Sequence, residues 1–468
     1  MPAIRPIRAI CFNQPGGDIS SLIAPPYDVL DEASKQSLLA KHKHNIVKID
    51  LPYTPPKTVG PDAVYDEAGR VFRCWLRDGV LSYRDKPAVF VYQQTFDTSG
   101  LEGGVSKTLR RRGVIANVGV QAFGRSPDGR GGIWPHERTI PSGEEDRLRL
   151  MRSTRAQTSP IFGMYEDPDR TISRWLSELI ESHSPDLYGT SRFDDVRHEL
   201  WRVEQPEMIE QMARVMSDSD IYIADGHHRY NTALNYLKQH KDVPLDHPAH
   251  FCMFVLVAIQ DPGMIVLPTH RVLGGMNFYD FESLITTGKD HLEIRSFRGN
   301  LEALAAALPG AGHHAIGLCD RDGTLAIATT MDPDPLRQTY PQASEVWRRL
   351  DVAVAAHLIV EQICEPQMGA VQKWMYPSKL RDVRSILAGA DYQLALIMQP
   401  TRLEAVARVS HAGELMPPKS TFFYPKLATG LVINPLESIL EHLNCSPLQD
   451  PSDGQDVPNP HGPDLKKM

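Results

Sequence analysis

The sequence has no CxxC pair. Its six cysteines (Cys11, Cys74, Cys252, Cys319, Cys364 and Cys445) are scattered through 468 residues, which excludes a zinc ribbon and a disulfide-stapled secreted domain. Long apolar runs are also missing: the longest, Phe251 to Ile259, reads as a buried strand and is too short to span a bilayer as a helix. Positive charge is not in excess. Lys and Arg total 50 against 58 for Asp and Glu, a net charge of −8, so a protein held on nucleic acid mainly by phosphate attraction is not expected. The N-terminal MPAIRPIRAICF lacks the apolar core of roughly 7–15 residues that a signal peptide needs; a cytoplasmic protein with no membrane partner is the expectation. Glycine (33) and proline (37) supply turns without reaching low-complexity levels, which excludes collagen, coiled coil and wholesale disorder. What remains is ordinary globular material, 41% hydrophobic and 23% charged, able to bury real cores in two to four domains at roughly 150 residues each.

Five stretches follow from the pattern. Residues 1–84 hold an extended Pro-rich start, the APPYDVL turn (Ala24–Leu30), helical patterns at Glu32–His42 and Ala63–Arg77, and between them an alternating IVKIDL (Ile46–Leu51) that reads as a strand. Residues 85–167 are β-rich: AVFVYQQTF, then a long arginine-bearing strand ending GVIANVGVQAF. The Gly-rich loop Ser126–Gly132 leads into WPHERT and a helix whose capping box would pair Ser142 with Glu145. Within residues 168–250 a polar helical region covers about 168–217, followed by the strand, tight turn and helix of DIYIADGHHRYNTALNYLKQH. From 251 to 445 strands (Phe251–Ile259, Met264–Leu267, Ala315–Leu318, Tyr392–Met398) mix with helices (Asp280–Lys289, Leu301–Leu308, Glu345–Ile363), and Asp322-Gly323 marks a hairpin turn. Residues 446–468 lack apolar periodicity and read as a disordered tail.

The strongest chemical signal is the turn after Ile221–Ala224. Asp225-Gly226 breaks the strand, and Tyr230, Ala233, Leu234 and Leu237 mark one face of a helix. His227, His228 and Arg229 then fall at that helix's start, where free backbone N–H groups and the positive end of the dipole already favour an anion. Cations gathered there make sense around a phosphate or carboxylate, with Gly226 permitting close backbone approach. The alternative is a surface turn whose arginine pairs with a nearby carboxylate. WPHERT offers His136, Glu137 and Arg138, acid/base and anion-holding groups, ahead of a helix carrying Arg147, Arg149, Arg152 and Arg155; an exposed salt-bridged helix is the alternative. It is not HExxH, since residue 140 is Ile.

LPTHRV places a second His-Arg pair at a strand end, where Arg271 would join Arg229 around one anion or form an ordinary salt bridge. With Gly413, MPPKS imitates a P-loop, but Pro418 stands where glycine must approach phosphate and no helix can follow. Lys419, Ser420 and Thr421 remain candidates for a phosphate-binding loop. In APPYDV the prolines stiffen the approach to Asp28, either to present its carboxylate or to cap the next turn.

Taken in order, APPYDV, HERT with SPIFGMYED, ADGHHRYNTAL, LPTHRV, LDVAVAAHLI and MPPKSTFFYPKLATGLV resemble the domain-of-unknown-function 1015 family over about residues 2 to 440, a family that supplies kinship rather than a known activity. ADGHHR with its strand and helix is also similar to the phosphate-binding turn of ParB and sulfiredoxin-like proteins, which include ADP-dependent free-serine kinases. That resemblance covers about fifteen residues. It implies an α+β fold, a ParB/sulfiredoxin-like core with a β-rich insertion and a C-terminal α+β domain. It also implies that Gly226, His227 and Arg229 bind phosphate and that Asp225 acts near the transferred group or its metal. The turn holds no cysteine, so sulfiredoxin chemistry does not carry over.

The leading expectation is a nucleotide-dependent small-molecule phosphotransferase acting on serine or a similar hydroxyl metabolite. Arg229, His227 and the turn amides would hold a nucleoside di- or triphosphate, with Mg²⁺ bridging to Asp225. Arg138 and Lys419 would embrace the acceptor, and Glu137 or Asp28 would take its proton. His136, His228, Arg271 and Ser420 complete the expected ligand-binding set. The rivals are a non-catalytic nucleotide sensor or ParB-like nucleic-acid partner, which would show a basic face, and a metal-dependent hydrolase.

Overall fold

The structure, a computed structural model, describes residues 3–14, 16–99, 101, 107–126, 129–191 and 193–437. The expected tail at 446–468, and Pro127 and Asp128 of the Gly-rich loop, lie outside them. The fold is mixed α+β. Its largest feature is a ten-stranded mixed sheet with Phe251–Ala258 near the centre, every residue of that strand buried. Thr108–Gly119 pairs with it antiparallel and Ile161–Tyr165 parallel. Beyond Thr108–Gly119 follow Val89–Asp97, Arg197–Val203 and Leu187–Thr190; beyond Ile161–Tyr165 follow Ile221–Asp225, Gly132–Trp134 and Gly124–Arg125. Strands from residues 85–167 therefore share one sheet with strands from 187–258.

A second sheet of six strands, all antiparallel, is built from residues 271–397. Its hairpin Ile316–Asp320 and Leu325–Thr330 turns through Asp322-Gly323 as read from the sequence. The chain then returns to the N-terminal segments: Thr429 bridges Ala24, Ile433 bridges Ile10, and Asn434–Pro435 pairs with Ala156–Gln157 in a separate two-stranded sheet. This return places residues of the 420s against the N-terminal turns. Among the described residues, no helix is long and apolar enough to cross a membrane.

Four local expectations need correction. Ile46–Leu51 is not a strand: Val47–Asp50 is a short helix. Asn45 starts it by accepting the Val47 N–H at 3.0 Å while donating to the Ser21 and Ile23 carbonyls, and all six residues except Lys48 are buried, so the polar Asp50 marks no solvent-facing side. Ser142 and Glu145 form no capping box. The helix Pro141–Thr154 begins two residues earlier, with proline at its first position and Ile140 as N-cap, a placement proline's fixed φ favours. The polar region after 168 contains two strands, Leu187–Thr190 and Arg197–Val203, between its helices. Arg197–Val203 presents His198 inward to Tyr92, Oη to Nδ1 at 2.7 Å, so a polar residue marks its buried face. Finally, Glu345–Ile363 is not one helix. An extended Leu350 separates Glu345–Arg348 from Asp351–Ala353, which runs on into a π-helical stretch, Val354–Cys364.

Candidate functional site

The strand Ile221–Asp225 lies between Gly132–Trp134 and Ile161–Tyr165, and its register slips between Ile223 and Asp225 as it leaves the sheet. The chain turns at Gly226, φ 97°, into the helix His227–Gln239. Only glycine fits there: the backbone is left-handed, and a Cβ would meet the Arg229 guanidinium at 3.0 Å. Arg229 folds back over the turn and is 9% exposed. Its Nη1 donates to the Pro160 carbonyl, and its Nη2 lies 3.5 Å from Asp225 Oδ2. No side chain caps this helix start.

Two lysines join the turn. Lys426 Nζ stands 3.5 Å from the same Asp225 oxygen. Lys57 Nζ meets Asp28 Oδ2 at 3.1 Å. Burial works against the Asp225 charge, yet Lys426 and then Arg229 outweigh it and hold the carboxyl below its ordinary range. Asp28 behaves likewise: burial and the neighbouring Asp225 charge push it up, and Lys57, Lys426 and Arg229 bring it down further. Three cations thus face two ionised carboxylates across half-buried ground. Asp28 Oδ1 is shielded from solvent and has no hydrogen-bond partner among the described residues, a deficit a ligand, ion or water would relieve.

Asp28 owes its position to Arg147. The Arg147 guanidinium lies 3.8 Å over the Tyr27 ring, donates to the Asp50 carbonyl at 2.6 Å and pairs with Asp146 at 2.8 Å. The other arginines of that helix are engaged too: Arg149 with Glu145 and Asp62, Arg152 with Gln239, Arg155 with Glu437. The helix is a clasp between chain segments rather than a polyanion face.

The HERT loop docks on the turn through two imidazoles. His227 Nε2 accepts the His136 N–H at 3.3 Å, and His228 Nε2 accepts the Ile140 N–H at 3.0 Å. Burial, first among the causes, lowers the pKa of both rings, so each stands as a neutral acceptor anchoring the loop. His136 packs edge-on to His227 at 4.7 Å and bonds Thr421 Oγ1 at 3.0 Å, while its carbonyl accepts the Met416 N–H at 2.8 Å. Glu137, half-buried, lies within electrostatic reach of His136 and His228.

Other expected members stand apart. Arg138 is exposed. Arg271 is buried, donating to the Thr269 carbonyl at 2.5 Å and the Lys419 carbonyl at 3.5 Å. Lys419 is exposed in a left-handed conformation, and Ser420 Oγ donates to the Pro417 carbonyl at 2.6 Å. The residues that sequence reasoning missed are Lys57 and Lys426. The signal for Lys426 was its place at the end of an already singled-out motif; Lys57 follows Pro55-Pro56, another stiffened lysine-bearing loop.

The family profile described as "Protein of unknown function (DUF1015)" matches residues 4–353. The chain belongs to this family. Lys426 and Thr421 lie beyond the stretch that matches the DUF1015 profile. No curated protein matches the chain. Among solved structures, a mutant free serine kinase in complex with AMP is similar at 13% identity, covering 62% of this chain and 83% of that one, TM-score 0.32. SbnI with C-terminal truncation from Staphylococcus aureus is similar at 12% identity, covering 66% and 89%, TM-score 0.30. A conserved hypothetical protein from Pyrococcus furiosus is similar at 17%, covering 63% and 88%, TM-score 0.30.

Proposed function

We propose that this DUF1015 protein is a small-molecule phosphotransferase whose phosphate site is formed by Asp28, Lys57, Asp225, Arg229 and Lys426. The observation that carries the reading is convergence. APPYDV, a proline-stiffened lysine loop, ADGHHR and KSTFFYPK lie far apart in sequence, yet their charged residues form one half-buried cluster at an uncapped helix start, with one cation in excess. A surplus of positive charge beside free helix N–H groups suits the phosphates of a nucleoside di- or triphosphate.

Phosphoryl transfer asks the protein mainly to position groups and to neutralise charge. Lys57 and Lys426 would bind phosphate oxygens while keeping both carboxylates ionised. Asp28, with its unbonded Oδ1, would orient the acceptor hydroxyl and receive its proton, and Arg229 would stiffen the turn through Asp225. Among the described residues no group of three or more His, Cys, Asp or Glu is disposed to hold a metal, which leaves the hydrolase reading without a ligand set. Mg²⁺ in phosphoryl-transfer sites needs only one or two protein carboxylates; Asp225 and Asp28 fit that mode, and a bound ion would supply charge neutralisation on the phosphates.

The test is turnover. Purified protein incubated with ATP or ADP, Mg²⁺ and a panel of hydroxyl metabolites that includes serine should yield a new phosphomonoester signal by phosphorus NMR, absent in Asp28→Asn. Nucleotide binding with no product for any acceptor would leave a sensor in place of an enzyme.

A further inference from the structure

Lys426 reaches the cluster from a short connection between the strand Phe422–Tyr424 and the bridge at Thr429. Two side chains on the large sheet grip that connection. Gln94 and Arg111 stand directly opposite each other on adjacent antiparallel strands. Arg111 Nη1 donates to the Tyr424 carbonyl at 3.1 Å, and its Nη2 donates to the Pro425 carbonyl. Arg111 Nε donates to Gln94 Oε1 at 3.0 Å, and Gln94 Nε2 donates to the Lys426 carbonyl at 2.9 Å. Three consecutive carbonyls are thus taken by two side chains, each 1% exposed. The amide orientation of Gln94 is settled by the network, since its oxygen must face the guanidinium.

This arrangement carries an energetic penalty. Arg111 has no carboxylate within ion-pair distance among the described residues; it rests on the Phe162 ring at 4.6 Å and on neutral acceptors. Burial pushes its pKa down to about 10. Apolar residues of similar volume commonly fill such positions at no loss of stability, so filling space does not account for a buried arginine without a direct ion pair. Fixing three carbonyls in a row does.

We infer that Arg111 and Gln94 are positioning residues that hold the Tyr424–Lys426 backbone so that the Lys426 ammonium meets Asp225 and the bound phosphate. The inference rests on the phosphate-site reading for its purpose, and its test separates the two. First, reductive methylation of the full chain, followed by peptide mass spectrometry, measures each lysine's labelling rate without any ligand. Gln94→Glu keeps the acceptor for Arg111 and adds its missing counter-charge, so the protein stays folded, but it removes the donor to the Lys426 carbonyl. Lys426 labelling should rise several-fold in Gln94→Glu and Arg111→Lys while Lys57 is unchanged. An unchanged Lys426 rate, or a parallel rise at Lys57, overturns the inference.

Second, calorimetric titration with pyrophosphate reads the consequence. Gln94→Glu should weaken binding by about tenfold, the low end for groups that orient ligating residues, and should have no further effect in a Lys426→Ala background. Equal weakening in both backgrounds overturns the inference, because the effect would not pass through Lys426. If wild-type protein binds no pyrophosphate, the phosphate reading fails and the labelling result alone decides the positioning role.

Discussion

Two His-Arg pairs stand at strand ends, and they differ in what surrounds them. In both, the histidine accepts a backbone N–H: His228, through Nε2, from Ile140 at 3.0 Å, and His270, through Nδ1, from Met398 at 3.1 Å. In both, the arginine is buried and donates to a carbonyl close by. Arg229, however, follows a left-handed glycine and reaches Asp225, which a lysine also faces. Arg271 has no carboxylate partner among the described residues; burial pushes its pKa down to about 10, and its second contact is the Lys419 carbonyl. The dipeptide alone therefore carries no functional meaning. A glycine that lets the arginine fold back, and a carboxylate that recruits further cations, make the difference.

The comparison breaks most severely at Gly226. Gly226→Ala forces a side chain into a left-handed turn and against Arg229; a loss of about 1–3 kcal/mol is expected, measured by urea denaturation, together with loss of any nucleotide-induced thermal shift. A stable variant that still responds to nucleotide would contradict the geometry of the turn.

Next come the arginines themselves. A ligand at 100 times its Kd stabilises the protein by about 2.7 kcal/mol. Arg229→Met should abolish that stabilisation by ADP or pyrophosphate in a thermal scan, and Arg271→Met should keep it. Equal loss in both would mean that the two strand ends serve one ligand after all.

Acid should separate the two regions on the order of a few kcal/mol. Asp28 and Asp225 titrate below their ordinary 3.8 in the folded chain, so the unfolded chain protonates first, and their contribution is present above that value and lost below it. Buried His198, lowered from 6.5 to about 3 chiefly by burial, adds a loss that begins as pH falls below 6.5. His227 adds to it in the same direction. In the C-terminal sheet region His314 runs the other way. Burial opposes its charge, but the 2.7 Å bond to Asp351 raises its pKa, so its contribution is present below 6.5 and lost as pH rises through the folded value. Urea unfolding between pH 4 and pH 8, with His314→Gln as the comparison, reads both signs.

The smallest effect belongs to Arg138. It is exposed, and among the described residues it has no ion-pair partner, so Arg138→Ala should change stability by less than about 0.5 kcal/mol. A larger change would place Arg138 inside the cluster.

The strand–turn–helix was legible because its parts agree: an apolar strand, Asp-Gly, then one apolar helical face. Convergence was not legible. Lys57 and Lys426 sit on proline-flanked loops with no periodicity, and their partners are fixed by tertiary packing. Arg111 reads as one more arginine in a basic strand, because nothing local reveals that its guanidinium faces two carbonyls of a distant segment, with Gln94 taking the third. For the arginines from Arg147 to Arg155 the sequence left anion binding and pairing within the chain both open, and each of Arg147, Arg149, Arg152 and Arg155 is engaged within the chain. Ile46–Leu51 failed as a strand because all but Lys48 of its residues are buried, which leaves too little contrast for period-counting.

The central claim is that Lys57 and Lys426 complete a phosphate site at the Asp225 turn. Isothermal titration of pyrophosphate into wild-type protein and into the Lys57→Ala/Lys426→Ala double variant tests it most directly. The account predicts a single saturable site in the wild type that is lost in a folded double variant. Pyrophosphate binding of equal affinity in both proteins would contradict it.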